Sequence, residues 1–465
     1  MKRILLVIFT ASCTAVGPDY KRPDIELPAQ YPEKAQANEP SLPLEWWKLY
    51  SDPTLDQLVA SAREKNADIR LAAARVREAE AVLREAGAAF YPDVTGGYSA
   101  TRSKVSSLTT PPPAAGTPLE RAQHTLSAST SFELDFWGRL ARAGEAAQAN
   151  LLASRFSRDV VTLTLAGATA QTYFALRSLD AQIAVLDKTL QARRDSLAIA
   201  RARLEAGLAS ELDVNQAEGA AADALVQRRD AGRQRAAVAH QLGQLSGRLD
   251  LKLAAADLFA LPLPPVPPPG LPSALLERRP DIRSAEQSLV AANAQIGVAR
   301  AALFPTISLT ASLGAQSAQL ADLLSSGAGI WSLGAGLAGP IFDAGRREAR
   351  VEQADARRSQ ALASYQRSIE TAFREVADAL VNVEESSGAE TDLDARLQAA
   401  RNALELSNLR YKSGYSPYLE VLDAQRTAND TELAFVRNRQ ARLAFSVDLM
   451  KALGGGWNPN SGSEP

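Results

Sequence analysis

The sequence predicts a mixed α/β membrane protein with four membrane-type β-strands and two very long helical hairpins per chain, made by duplication of one unit. Three observations predict it. The chain repeats itself across a proline-rich linker, several short stretches alternate apolar and polar residues, and two long proline-free stretches follow a helical period.

The duplication sets the frame. NADIRLAAARVREAEAVLREAGAAFYPDV (66–94) aligns without a gap to RPDIRSAEQSLVAANAQIGVARAALFPTI (279–307), down to the helix-stopping Pro92 and Pro305. From Gly138/Gly345 to Gly247/Gly454 the copies run at an offset of 207, so the second is shorter between these blocks, where the first carries a loop at 102–124.

The elements follow in chain order. Residues 1–12 (MKRILLVIFTAS) have the basic pair, apolar run and small residues of a secretory signal. The only cysteine, Cys13, comes next and reads either as a lipidated mature N-terminus or as a plain thiol. Residues 13–53 carry seven prolines and form an extended arm. The first repeat, 54–260, comprises a helix, two strands and a long helical hairpin. LPLPPVPPPGLP at 261–272 is a semi-rigid linker, the second repeat spans 273–454, and 455–465 is a disordered tail.

Period two marks the strands. TLSASTSFELDF (125–136) puts Leu126, Ala128, Phe132, Leu134 and Phe136 on one face and Ser127, Ser129, Ser131, Glu133 and Asp135 on the other. Residues 306–314 alternate likewise, as does 330–342 with Trp331, Leu333, Ala335, Leu337 and Ile341 outward; Val94–Thr101 is a weaker case. At about 10 residues each, they have the length of tilted transmembrane strands. Trp331, Trp137, Phe342, Phe90 and Tyr91, at strand ends, form either an interfacial aromatic belt or ordinary packing.

From Gly138 the period becomes helical. Ile183, Leu186, Leu190, Leu197, Ala200 and Leu204 form a heptad seam, repeated by Leu393, Leu397, Ala400, Leu404 and Tyr411. Each run is roughly 65 residues, near 100 Å at 1.5 Å per residue. The runs break at RLEAGLASELDVNQAE (203–218) and RYKSGYSPYLEVLDAQ (410–425), after which a helix of roughly 35 residues returns. Gly207 and Gly414 permit the reversal, and Pro417 suits the first turn of the returning helix.

Composition narrows the chemistry. Net charge is −2 with no basic block, which argues against nucleic acid. No apolar run reaches the length of a membrane-spanning helix. One cysteine, two methionines and two well-separated histidines, His124 in a loop and His240 on a helix face, offer no metal or catalytic set, so no cofactor and no enzymatic activity are expected. Four amphipathic strands cannot seal their own edges in hydrocarbon; two chains would give eight strands and a filled lumen, three would give twelve and leave a passage. A soluble sandwich with a coiled coil is the alternative.

The combination resembles the TolC-like outer membrane factors of tripartite efflux systems, in the NodT-type lipoprotein branch. It rests on CTAVGPDYKRP, WWKLYSDPTLDQLVASAREKNADI (46–69), ELDFWGRLARAGEAA (133–147), RRPDIRSAEQSLVAANAQIGVARAALFPTISLTAS (278–312), GPIFDAGRREARVEQA (339–354) and both tip motifs. The resemblance implies a homotrimer whose 12-stranded outer membrane β-barrel continues as a periplasmic α-helical barrel. It implies as partners a periplasmic adaptor, an RND-type inner membrane pump and outer membrane lipid.

It also implies roles for residues at the tips. Glu420 and Asp423 match acids that face the closed end of the pore, Leu419 a plug and Arg426 an interhelix partner; first-turn helix capping is the alternative for the two acids. Tyr411 and Asp213 match a hydrogen-bonded link that holds the tips shut. Ser416 stands where the prototype has an arginine, and Arg410 is the candidate substitute. The turns with Gly207, Leu208, Ser210, Gly414, Tyr415, Ser416 and Pro417 are expected to meet the adaptor. The function expected is export of drugs or other small organic compounds. Protein secretion and, from another class, a periplasmic adaptor or structural lipoprotein are the alternatives.

Overall fold

The computed structural model describes residues 15–26, 28, 31, 42–108, 111, 114, 116, 118–268, 273 and 275–457. The signal at 1–12, Cys13, the linker's last residues 269–272 and the tail from 458 lie outside them.

The principal elements come in matched pairs. After α1 (Pro53–Lys65), α2 (Ala67–Ala88) and α6 (Pro280–Ala301) have 22 residues each, α3 (Arg139–Glu205) and α7 (Arg346–Lys412) have 67 each, and α4 (Glu211–Leu245) and α8 (Tyr418–Ala452) have 35 each. A one-turn α5 (Leu275–Arg278) precedes α6. The strands are β1 (Asp93–Lys104), β2 (Glu120–Leu134), β3 (Thr306–Ser317) and β4 (Gly329–Ala338). No helix among the described residues is long and apolar enough to cross a membrane.

The chain divides into two compact units. One holds the described residues of 1–24, 76–153 and 285–365, including the four strands. These form one antiparallel sheet in the order β1-β2-β3-β4, so β1 and β4 are its edges. The register sorts the side chains. Thr95, Ser129, Ser312 and Ser332 lie abreast on one face, and Gly96, Ala128, Leu313 and Trp331 abreast on the other. Hydroxyls link Thr95 to Ser129 at 2.9 Å and Ser312 to Ser332 at 2.8 Å. The opposite face is apolar and bare: Trp331 is 80% exposed, Leu333 78% and Leu337 71%.

The strands depart from the expected bounds at several ends: β2 stops at Leu134, short of Phe136, and β3 runs on to Ser317. β1 and β2 continue to Lys104 and back from Glu120, so the loop is 105–119 and His124 is a strand residue. Cross-strand bonding extends the pair well past its apolar stretch. β4 stops at Ala338, because Gly339 and Pro340 follow and proline has no N–H for a ladder; Ile341 and Phe342 lie beyond the strand. Trp137 packs inward, its ring 4.5 Å from Phe304 and its indole N–H donating to the Pro305 carbonyl at 2.7 Å.

The second unit holds the described residues of 25–75, 154–284 and 366–465. Its core gathers Trp46, Tyr50, Leu55, Leu58, Phe174, Leu176, Leu242, Val447 and Met450. Full burial of each large apolar side chain is worth about 1.5–3 kcal/mol, which fixes the short helical entry 46–50 and α1 against α3, α4 and α8. Asp52 caps α1 by accepting from Thr54 N at 2.7 Å, with Pro53 at the first helical position, and also accepts from the Tyr173 hydroxyl. Further along α3 and α7, the heptad positions Leu186, Leu190, Ala200, Leu397, Ala400 and Tyr411 are buried.

Candidate functional site: the two helical tips

Both long helices end in the same device. Gly207 and Gly414 adopt φ of 73° and 79°, the left-handed region in which glycine has no side-chain penalty. Leu208 N–H bonds back to Arg203 O at 2.7 Å and Gly207 N–H to Leu204 O at 2.9 Å. Tyr415 to Arg410 at 2.9 Å and Gly414 to Tyr411 at 3.0 Å repeat the pattern. This pair of bonds satisfies helix-end carbonyls and turns the chain sharply, as a Schellman motif does.

The copies then diverge at the N-cap residue, and this divergence assigns the charges. Ser210, the N-cap of α4, accepts from Asp213 N, while the Asp213 carboxylate accepts from Ser210 N at 3.0 Å and Oγ at 2.9 Å, a reciprocal capping box. The repeat mate of Ser210 is Pro417, whose side chain makes no cap bond. Glu420, the mate of Asp213, is therefore free to take another partner and accepts from Arg410 Nε at 2.9 Å. Arg203, the mate of Arg410, turns to the other hairpin: its guanidinium lies 4.8 Å from the centre of the Tyr411 ring and donates to Tyr411 O at 3.0 Å.

Tyr411 and Asp213 do not bond in this chain. The Tyr411 hydroxyl is buried without a hydrogen-bond partner among the described residues, and the Asp213 carboxylate is occupied by the cap. Burial pushes the Tyr411 phenol above its ordinary pKa, opposed by the Arg203 charge and assisted by Asp213. Tyr418, 5.5 Å away ring to ring, is likewise raised by burial. Arg410 serves its own hairpin through Glu420.

α8 is two-faced. Tyr418, Val421, Gln425, Ala428 and Asn429 are buried, while Leu419, Glu420, Asp423 and Arg426 are exposed on the other side. Ser416 Oγ is buried with no partner. Hydrogen bonds along the buried side tie α3 to α8, Gln425 to Ser196 at 3.1 Å and Thr189 to Asn429 at 2.9 Å. Beside the turns, Ser196, Ile199, Leu406, Leu409, Lys412 and Gln425 line a groove of about 760 Å³. Among the described residues no group of His, Cys, Asp or Glu is arranged to hold a metal ion.

Sequence reasoning missed Arg203, Gln425 and Asn429 as contacts between hairpins. The signal for Arg203 was available: a cap serine at 210 and a proline at 417 leave the two tips with unequal acid partners for equivalent arginines.

The comparisons agree with this architecture. The family model described as outer membrane efflux protein matches residues 58–248 and 271–455. The toluene efflux pump outer membrane protein TtgF of Pseudomonas putida is 36% identical, over 99% of this chain and 98% of its own. The antibiotic efflux pump outer membrane protein ArpC of Pseudomonas putida is 34% identical, over 99% and 97%. The open-state crystal structure of the MtrE outer membrane channel of Neisseria gonorrhoeae superposes with a TM-score of 0.83 at 29% identity, covering 95% of this chain and 98% of that one. With more than half its length matched by the family model and both repeats included, the chain belongs to the outer membrane efflux protein family.

Proposed function

We propose that three copies of this chain close a 12-stranded barrel in the outer membrane, which opens into a helical duct whose far end is gated by the α3/α4 and α7/α8 tips. The family makes the chain an outer membrane efflux component. One observation carries it. The sheet has two unpaired edges and an apolar face, with Trp331, Leu333 and Leu337 largely exposed, opposite a hydroxyl-lined one. Unpaired backbone groups cost several kcal/mol each in hydrocarbon, so only pairing β1 of one copy with β4 of the next satisfies both edge and face. Three copies leave a lumen lined by hydroxyls, suited to uncharged and charged solutes alike.

At the tips, Glu420 and Asp423 from three copies form acidic rings with Leu419 and Arg426 beside them, favouring cations at the mouth. Arg203 ties the two hairpins of one chain, and opening separates them. The exposed turns at Gly207, Leu208, Ser210, Gly414, Tyr415, Ser416 and Pro417 dock a periplasmic adaptor, which couples the duct to an RND-type pump. Cargo is small and organic, in keeping with the names of the toluene and antibiotic pump relatives. Cys13 is the lipid attachment point; mass analysis of the mature N-terminus finding no acyl group there would remove that part.

Planar-bilayer recording tests the channel. The purified parent should give discrete, cation-selective steps, larger or longer-lived once Arg203 is replaced by Met. Absence of steps from both proteins would refute it.

A further inference from the structure

The apolar face of the sheet has one interruption. Gly96, Ala128 and Ala315 are small where their neighbours are large, and they leave a shallow depression of about 590 Å³ bounded by Tyr98, Leu126 and Leu313. No side chain of the described residues fills it, and a Cβ built on Gly96 meets nothing within 4 Å. Along β1 from this depression, side chains of the same face change character. The Tyr98 hydroxyl and His124 Nδ1 share a hydrogen bond of 2.9 Å, and two and three same-face positions beyond Tyr98 stand Arg102 and Lys104. Arg102 pairs with Glu120 at 2.8 Å, both well exposed; no ion pair among the described residues engages Lys104, although Glu120 is its cross-strand neighbour.

The spacing identifies a ligand class. From the centre of the depression, at residue 97, to Arg102 and Lys104 is about 17–24 Å along a strand rising about 3.4 Å per residue. At the tilt of about 40° usual for membrane strands this is about 13–18 Å along the bilayer normal, bracketing the roughly 15 Å of one leaflet's hydrocarbon. An apolar recess near the bilayer centre and two cations at headgroup height match a chain and a phosphate joined by one leaflet's length.

We propose that this face binds one phosphorylated lipid per chain, with an acyl chain in the recess over Gly96, Ala128 and Ala315 and its phosphate held by Lys104 and Arg102. Tyr98 and His124 sit between, where a lipid's ester or amide groups lie. Glu120, paired with Arg102, lowers the net positive charge, so a phosphate alone is held weakly and the acyl chain in the recess supplies the rest. The proposal rests on the reading of this sheet as a membrane barrel.

Native mass spectrometry of the delipidated, detergent-held assembly tests it, with dioleoyl phosphatidic acid, dioleoylglycerol and inorganic phosphate as probes. Two variants separate the halves of the site: Gly96→Leu fills the recess on an ordinary strand backbone with open space around it, and Arg102→Gln with Lys104→Gln removes the cations. The parent should retain phosphatidic acid, and either variant should weaken it by about five- to thirtyfold. Dioleoylglycerol should bind the parent no better than it binds the cation variant. Equal retention of phosphatidic acid by parent and both variants would overturn the site, as would phosphate alone binding as tightly as the lipid. Planar-bilayer steps from all three proteins, alongside equal lipid retention, sink only this site; failure of the parent to insert sinks the barrel reading as well.

Discussion

Replacing Arg203 by Met should open the tip, because Arg203 joins α3 to α7 by two contacts that methionine cannot make. The guanidinium donates to Tyr411 O at 3.0 Å and lies 4.8 Å from its ring centre. A hydrogen bond from a charged donor contributes about 1.5–3 kcal/mol, and a partly exposed cation–π contact about 0.5–1 kcal/mol. Arg203 is half-buried, which favours the lower end, so the loss is about 2 kcal/mol, or about 30-fold in an opening equilibrium. Methionine keeps the length and apolar stem of the side chain, so packing beside Ala200 is disturbed little. Planar-bilayer recording of single channels reads the effect as the share of time in the high-conductance state. Arg410→Gln is the control: its ion pair with Glu420 is exposed at both ends, 56% and 40%, and such pairs contribute about 0–1 kcal/mol. The reasoning fails if Arg203→Met gates like the parent while Arg410→Gln opens the channel.

Two further outcomes follow from the same geometry. Glu420→Gln with Asp423→Asn should weaken cation selectivity and block by divalent ions while leaving the assembly intact, since first-turn acids contribute only about 0.3–1 kcal/mol each to a helix; loss of assembly with unchanged selectivity would make these acids caps alone. On β4, Leu333→Arg should impair insertion, at a cost of about 2–4 kcal/mol near the bilayer midplane. Its neighbour Ser332→Arg, on the hydroxyl face, should insert normally and shift ion selectivity. Comparing folded, membrane-embedded fractions of the two variants by heat-modifiable gel migration checks this, and equal impairment contradicts the assignment of faces.

Much of the fold was legible because two periods and a duplication leave strong marks. Alternation named the strand faces correctly from Leu126 to Phe132 and from Trp331 to Leu337, since a residue's parity fixes its side of a sheet. The heptad positions and the glycine reversals were equally readable. Strand ends were not: the pairing of Arg102 with Glu120 and of Tyr98 with His124 extends β1 and β2 into stretches whose composition looks loop-like. At the tips, sequence located the residues but not their partners. Whether an acid caps its own helix or pairs with an arginine follows the exchange of Ser210 for Pro417, which removes one competitor for the carboxylate. Trp137, just after a strand, read either as a belt residue or as ordinary packing. Its indole N–H bonds to the Pro305 carbonyl, a contact between repeats that local pattern does not carry.

The central claim is closure by copies of the chain, and native mass spectrometry of the detergent-solubilised protein tests it most directly. The account predicts a single folded species of three protomers, with no folded monomer on dilution, because every copy leaves β1 and β4 unpaired and an apolar sheet face bare. A stable, folded monomer in lipid or detergent, its strand edges unpaired, would contradict it.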